Sequence, residues 1–265
     1  MDLGLRDRVA VVTGASKGIG LAVAKALVAE GARVVAGARS GSLAIEALAA
    51  DGRLKFVPVD LASPDGPAEL VDAAAQAFGG VDILVNNVGA VAIRADGFLA
   101  IADEEWMATF NLSFLAALRA TRAAIPEMLK RGGGNVVTIG SVNAFLPDPA
   151  VIDYSAAKAA LWNLSKALSK EFGPQNIRFN SISPGPVATD LWLGDKGVAA
   201  TAAKNMGVDF ETAKARVVES QGGFSTGRFT QPSEVADLVL LLASHRAGNV
   251  TGADFLIDGG LIKTL

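Results

Sequence analysis

The sequence predicts an α/β fold in which a doubly wound, seven-stranded parallel sheet is flanked by helices, all in a single domain over residues 1–265. Three observations carry that expectation. Short β-branched or apolar runs alternate with longer Ala/Leu-rich segments of helical period. The apolar share of the chain suits a parallel sheet buried on both faces. Apolar residues make up 51% of the chain and aromatic ones only 6%, so the core is expected to be Ala, Val, Leu and Ile.

Strands are expected at residues 9–13, 33–37, 55–58, 82–85, 135–139, 177–182 and 255–257. Helices are expected at 19–31, 42–50, 64–78, 103–129, 153–172 and 233–243, several opening on the Asp, Ser or Pro that suits a helix start. The triplet Gly132, Gly133 and Gly134 reads as a helix-to-strand turn. Right-handed crossovers place the C-terminal ends of the strands along one rim, where open α/β sheets bind ligands. The alternation breaks between residues 188 and 230, where scattered glycines and two short helix-like pieces predict a lid over that rim.

Charge and composition exclude several classes. A net charge of −3 with no local run of Lys or Arg argues against a nucleic-acid partner. The absence of cysteine removes disulfides, zinc-cysteine sites and thiol nucleophiles, and a cytoplasmic address is expected. No apolar run approaches the length of a bilayer span, and the first residues do not form an export signal. The glycosylation patterns at Asn111 and Asn163 fall in helical sequence and are read as chance. His245, the single histidine, is expected at the surface as a helix C-terminal cap. A Ser/His/Asp hydrolase is disfavoured, and no cluster has metal-ligand spacing.

Directly after the first expected strand stands Thr13-Gly14-Ala15-Ser16-Lys17-Gly18-Ile19-Gly20. Its three glycines allow a tight turn, close approach to a pyrophosphate and the start of a helix whose amides face that group, so a dinucleotide ligand is expected. At the end of the second strand an acidic residue would accept from a ribose 2′-hydroxyl and repel a 2′-phosphate. Here Ala38 and Arg39 stand in its place, and Lys17 adds a second cation. Guanidinium pairs well with phosphate oxygens, so NADP(H) is favoured over NAD(H).

Spacing Gly-x-x-x-Gly-x-Gly resembles the short-chain dehydrogenase/reductase family, NADP(H)-preferring and 3-oxoacyl reductase-like in type. Further matches cover nearly the whole chain: Asp60, Asn86-Asn87-Val88-Gly89, Asn111, Ser141, Tyr154 with Lys158, Pro184-Gly185 and Asp258-Gly259-Gly260. Val88 departs from the usual Ala. The resemblance implies a Rossmann-type fold and a cofactor site of Gly14, Ser16, Lys17, Gly18, Ile19, Gly20, Arg39, Asp60, Leu61, Asn87, Val88, Gly89, Tyr154, Lys158, Pro184, Gly185, Val187 and Thr189. It also implies a homotetramer paired through the helices at 103–129 and 153–172.

Hydride transfer to a carbonyl leaves an alkoxide-like oxygen that needs a proton donor and a second hydrogen bond. Tyr154, the single tyrosine, can donate, and Lys158 one helical turn on lies on the same face. Moving a phenol about three units toward neutrality takes roughly 4 kcal/mol. One ammonium about 4 Å away supplies roughly that amount. By resemblance Ser141 hydrogen-bonds the substrate oxygen and Asn111 anchors a water leading from Lys158 to solvent. Asn143, Phe145, Leu191, Trp192 and Phe224 are expected to wall a hydrophobic carbonyl or alcohol substrate. Two other readings use the same residues: a catalytically silent dinucleotide-sensing regulator, and an NAD-dependent alcohol dehydrogenase.

Overall fold

Runs of Val, Ile, Leu and Ala become strands whose side chains alternate between two apolar layers. In the computed structural model, which describes residues 2–220 and 222–264, these strands are β1 (Val9–Thr13), β2 (Arg33–Ala38), β3 (Leu54–Pro58), β4 (Ile83–Asn86), β5 (Gly134–Ile139), β6 (Ile177–Pro184) and β7 (Asp254–Ile257). All pairs are parallel, in the order β3-β2-β1-β4-β5-β6-β7. Along β1, Ala10 and Val12 enter one core while Val9 and Val11 enter the other, and β2 to β6 likewise feed both layers; the edge strand β7 feeds one, with Leu256 exposed.

The helices are α1 (Gly18–Ala29), α2 (Leu43–Ala49), α3 (Gly66–Phe78), α4 (Asp103–Phe110), α5 (Ala116–Lys130), α6 (Ile152–Phe172), α7 (Asp190–Leu193), α8 (Val198–Met206), α9 (Phe210–Ser220) and α10 (Pro232–Ala243). One core collects α1, α2 and α10, and the other α3, α5 and part of α6. The direction of winding reverses between β1 and β4, which opens a crevice at their C-terminal ends.

Three expectations change. The helix predicted over 103–129 is divided by one π-helical turn, Asn111–Leu115, in which the Ala116 N–H donates to the Asn111 carbonyl. Such a turn takes in an extra residue without ending the helix, so the apolar period hardly records it. The segment expected as a lid, residues 188–230, holds three helices among the described residues, α7 to α9, where two were expected; Gln221, within it, lies outside the described residues. This segment leaves and rejoins the body at one place. Ala188 N–H donates to the Thr230 carbonyl (2.8 Å) and Thr230 N–H to the Pro186 carbonyl (3.3 Å). His245 is exposed, but it lies in the 3-10 turn after α10 rather than capping that helix. Among the described residues no helix is long and apolar enough to cross a membrane.

Candidate active site

The crevice is locked shut from below by side chains of two loops. Thr13 Oγ donates to the Val85 carbonyl (3.2 Å) and accepts from the N–H groups of Asn87 (2.9 Å) and Val88 (3.1 Å). Asn87 Nδ2 returns hydrogen bonds to the carbonyls of Thr13 (2.9 Å) and Gly14 (3.1 Å). The glycine loop is therefore held against the loop after β4. Gly14 has φ +69°, and a Cβ there would press on Asn87 and Val88 at 3.1 Å. A Cβ on Gly20 would overlap the Gly14 carbonyl.

No side chain caps the N-terminus of α1, so its first amides remain free for an anion. That cradle fits the pyrophosphate of a dinucleotide. Thr189 stands on the far wall, its methyl 3.5 Å from where a Gly18 side chain would begin. Pro184 ends β6, Gly185 N–H donates to Ile257 (3.1 Å), and Val187 is buried beneath Thr189. After β3, Leu61 is buried, while exposed Asp60 accepts from Ala62 N–H through Oδ1. Ser16 and Ile19 line the turn into α1, and both Lys17 and Arg39 are exposed beside it.

Tyr154 and Lys158 occupy the first two turns of α6, and Lys158 Nζ lies 5.6 Å from the Tyr154 ring centre. Lys158 is 3% exposed, and its ammonium donates to the Ile139 carbonyl at the end of β5 (2.8 Å). Ser141 follows β5 on the same rim. Burial pushes the Tyr154 phenol up to about 12, offset in part by a hydrogen bond with Ser141. Burial likewise pulls Lys158 down to about 8. The expected fall of the phenol toward neutrality is thus absent from the protein alone, because loss of water outweighs the Ser141 hydrogen bond. A neutral phenol beside a cation is the form that donates a proton.

Asn111 does not meet Lys158 through its side chain. Its Oδ1 accepts from Arg119 Nη2 (3.5 Å), whose other nitrogen reaches the Ala62 and Ser63 carbonyls. Two residues on, Ser113 is 1% exposed and turns inward. Gly89 leaves a hollow between them: a Cβ there would lie 3.6 Å from Lys158 Nζ and 3.7 Å from Ser113 Oγ.

Of the residues expected to wall the substrate, Asn143 is nearest the chemistry. Its Oδ1 accepts from Ser141 Oγ and its N–H donates to the same oxygen, both at 3.2 Å. Phe145 packs edge-on against Trp162 at 5.2 Å, on the outer side of α6. Leu191 is exposed in the lid. Trp192 and Phe224 pack on Phe229 at 5.9 and 5.3 Å, forming the inside of the lid. Among the described residues no group of three or more His, Cys, Asp or Glu could hold a metal ion.

The sequence profile described as short chain dehydrogenase matches residues 8–196. The chain belongs to the short-chain dehydrogenase family. As a member it is an oxidoreductase that interconverts CH–OH and C=O groups with a nicotinamide cofactor. Among similar short-chain dehydrogenases is the 3-oxoacyl-acyl-carrier-protein reductase of Thermotoga maritima, 33% identical over 97% of this chain and 99% of that one. The L-rhamnose 1-dehydrogenase (NAD(P)(+)) of Azotobacter vinelandii is 35% identical over 98% and 99%. L-Sorbose reductase from Gluconobacter frateurii, solved with NADPH and L-sorbose, superposes with a TM-score of 0.92 at 36% identity over the whole of both chains.

The sequence reading of this short-chain dehydrogenase passed over Ser113 and Arg94. Ser113 carried no signal beyond lying two residues after Asn111. Arg94 joins residues far apart in sequence, among them Asp153, 59 positions on.

Proposed function

We propose that this short-chain dehydrogenase is an NADP(H)-dependent carbonyl reductase in which Tyr154 protonates the substrate oxygen. The observation that carries the reading is the meeting of Tyr154, Lys158 and Ser141 on the rim beside an uncapped, glycine-walled helix start. The bound cofactor supplies the hydride. Ser141 holds the substrate oxygen, Tyr154 gives it the proton, and the Lys158 cation stabilises the phenolate left behind. Among the family's expected positions, Gly14, Ser16, Gly18, Ile19 and Gly20 face the pyrophosphate. Asp60, Leu61, Asn87, Val88 and Gly89 line the adenine and ribose side, and Pro184, Gly185, Val187 and Thr189 the nicotinamide side.

Ser113 takes the place that family resemblance gave to Asn111. A water in the hollow beside Gly89 would have the Lys158 ammonium, the Ser113 hydroxyl and the Ala90 carbonyl as partners, and two to four polar partners suit a buried water. Ser113→Ala is expected to lower kcat about tenfold, and Asn111→Ala less than that, in steady-state assays of both variants. The reverse order would restore Asn111 to the role.

Lys17 and Arg39 are assigned to the 2′-phosphate. Arg39→Asp is expected to reverse the preference, lowering kcat/KM with NADPH about a hundredfold while raising it with NADH. Better efficiency with NADH in the unaltered enzyme would favour the NAD-dependent alcohol dehydrogenase reading instead. The substrate assigned is a carbonyl compound with an apolar portion, met by Phe145, Leu191, Trp192 and Phe224 once the lid over 188–230 has closed on it. Asn143 adds one amide to that wall, which suits a hydroxyl or second carbonyl beside the reacting one. The working form is assigned as a cytoplasmic, one-domain subunit of a homotetramer, with exposed Met107, Leu129 and Trp162 on the pairing helices.

A further inference from the structure

Asp153 opens α6 one residue before Tyr154, and its side chain is 1% exposed. A carboxylate so far from water needs strong partners. It has four. Arg94 reaches Oδ2 with Nη2 (2.5 Å) and Nε (3.1 Å), and Thr109 Oγ donates to the same oxygen (2.7 Å). Oδ1 accepts the backbone N–H of Tyr154 itself (3.0 Å). Arg94, 11% exposed, is equally committed: its Nη1 pairs with Glu105 (2.5 Å), and its own N–H donates to the Ala150 carbonyl (2.8 Å). These contacts hold Asp153 below the usual carboxylate range and Arg94 above its ordinary value.

The cluster touches each segment that frames the reacting centre. Arg94 belongs to the loop after β4, which begins with Asn87 to Gly89. Thr109 and Glu105 belong to α4, one turn before Ser113. Ala150 ends the segment that carries Ser141 and Asn143, and Asp153 begins the helix of Tyr154 and Lys158. Ion pairs at a surface contribute little and tolerate drift. This one is buried and saturated with hydrogen bonds, so its geometry is fixed.

We propose that Arg94 and Asp153 are positioning residues that hold Tyr154 in register with the loop after β4 and with α4, and that their mutual neutrality sets the electrostatic field at the phenol. The proposal rests on Tyr154 being the proton donor. The other charges facing the Tyr154 end of α6 are Lys158 on the helix itself, Glu105 from α4 and Asp148 in the turn before it.

Neutralising one partner leaves the other charge behind. In Asp153→Asn the cluster loses one negative charge and Arg94 keeps only Glu105 as an ion partner, so the added positive potential favours both the phenolate and the neutral lysine, and the pH profile of kcat moves toward acid. In Arg94→Gln an unpaired carboxylate does the reverse, and the profile moves toward alkali. Each shift is expected to be about half a pH unit. The double variant returns near the starting profile while kcat stays low, because the geometry is lost even when charge balances. Each single variant is expected to lower kcat about tenfold, with the NADPH Kd unchanged within about twofold.

The test is kcat against pH for the three variants, alongside NADPH titration and thermal melts. Opposite shifts with recovery in the double variant support the proposal. Shifts in one direction, or none, overturn it, since a merely structural cluster would lower activity without moving the profile in two senses. Should a charge variant fail to fold, Thr109→Val removes one bond to Asp153 and keeps both charges: a few-fold fall in kcat with an unmoved profile supports the proposal, and an unchanged kcat overturns it. Tyr154→Phe, assayed in parallel, separates the two claims. Full turnover in that variant sinks Tyr154 as the donor, whereas its inactivity beside unaffected Asp153 and Arg94 variants sinks the positioning device alone.

Discussion

Tyr154→Phe is expected to lower kcat about a thousandfold while leaving the NADPH Kd within about twofold of its starting value. The substitution removes one oxygen and keeps the ring, so packing over Lys158 survives. What is lost is the only phenol in the chain, the group proposed to hand a proton to the nascent alkoxide. The pH dependence of the intact enzyme follows from the same site. At neutral pH the phenol, pushed up to about 12, is protonated, and Lys158, brought down to about 8, still carries most of its charge. Reduction is therefore expected to slow as pH rises through about 8, when the cation that stabilises the phenolate discharges. Initial rates between pH 6 and 10, in both proteins, check the two statements together. A profile that keeps rising past pH 9 would mean that Lys158 works in its neutral form.

Asp82→Ala is expected to destabilise the fold by about 3 kcal/mol. For a domain of this size that lowers Tm by roughly 6–12 °C. Asp82 sits at the start of β4 with its side chain 4% exposed, taking hydrogen bonds from Arg131 Nε (2.8 Å) and Nη2 (2.9 Å), from Arg8 (3.1 Å) and from the Val9 N–H (2.8 Å). Removing it strands the buried Val9 donor. Both arginines are partly exposed and can rehydrate, which keeps the loss below that of a fully enclosed pair. Burial raises the Asp82 pKa, but Arg131, the Val9 N–H and Arg8 together lower it further, so the net folded value lies below the unfolded one near 3.9. The stabilisation is then complete above about pH 4 and disappears as pH falls through the folded value. Melting curves at pH 7 and pH 3 should differ less for Asp82→Ala than for the unaltered chain, and an equal difference would assign the acid sensitivity elsewhere.

The sheet was legible because strands buried on both faces are mainly apolar, as β1 and β2 are, though β6 carries buried Asn180, Ser181 and Ser183. Its ends were less so: β6 runs two residues past its last isoleucine, to Pro184, since a strand's final position needs no further N–H. Tyr154, Lys158, Ser141 and the glycine loop were readable from spacing on one helix and one turn. Ser113 was not, because the π-helical turn that holds it leaves no mark in composition. Arg94 and Asp153 were hidden for another reason: a buried ion pair between distant segments looks, in sequence, like two ordinary surface charges. Trp192 and Phe224 read as substrate walls from their place in the segment over the rim; composition carried no sign that both also pack on Phe229.

The most direct measurement is a single turnover of the unaltered enzyme with NADPH deuterated at the transferring position, run over a panel of ketones, 3-oxoacyl thioesters and ketoses. Deuterium at the carbinol carbon of at least one product, with the same transfer slowed about a thousandfold in Tyr154→Phe, is the expected result. NADPH bound tightly, with no deuterium reaching any carbonyl, would contradict it and leave a cofactor-sensing protein in place of an enzyme.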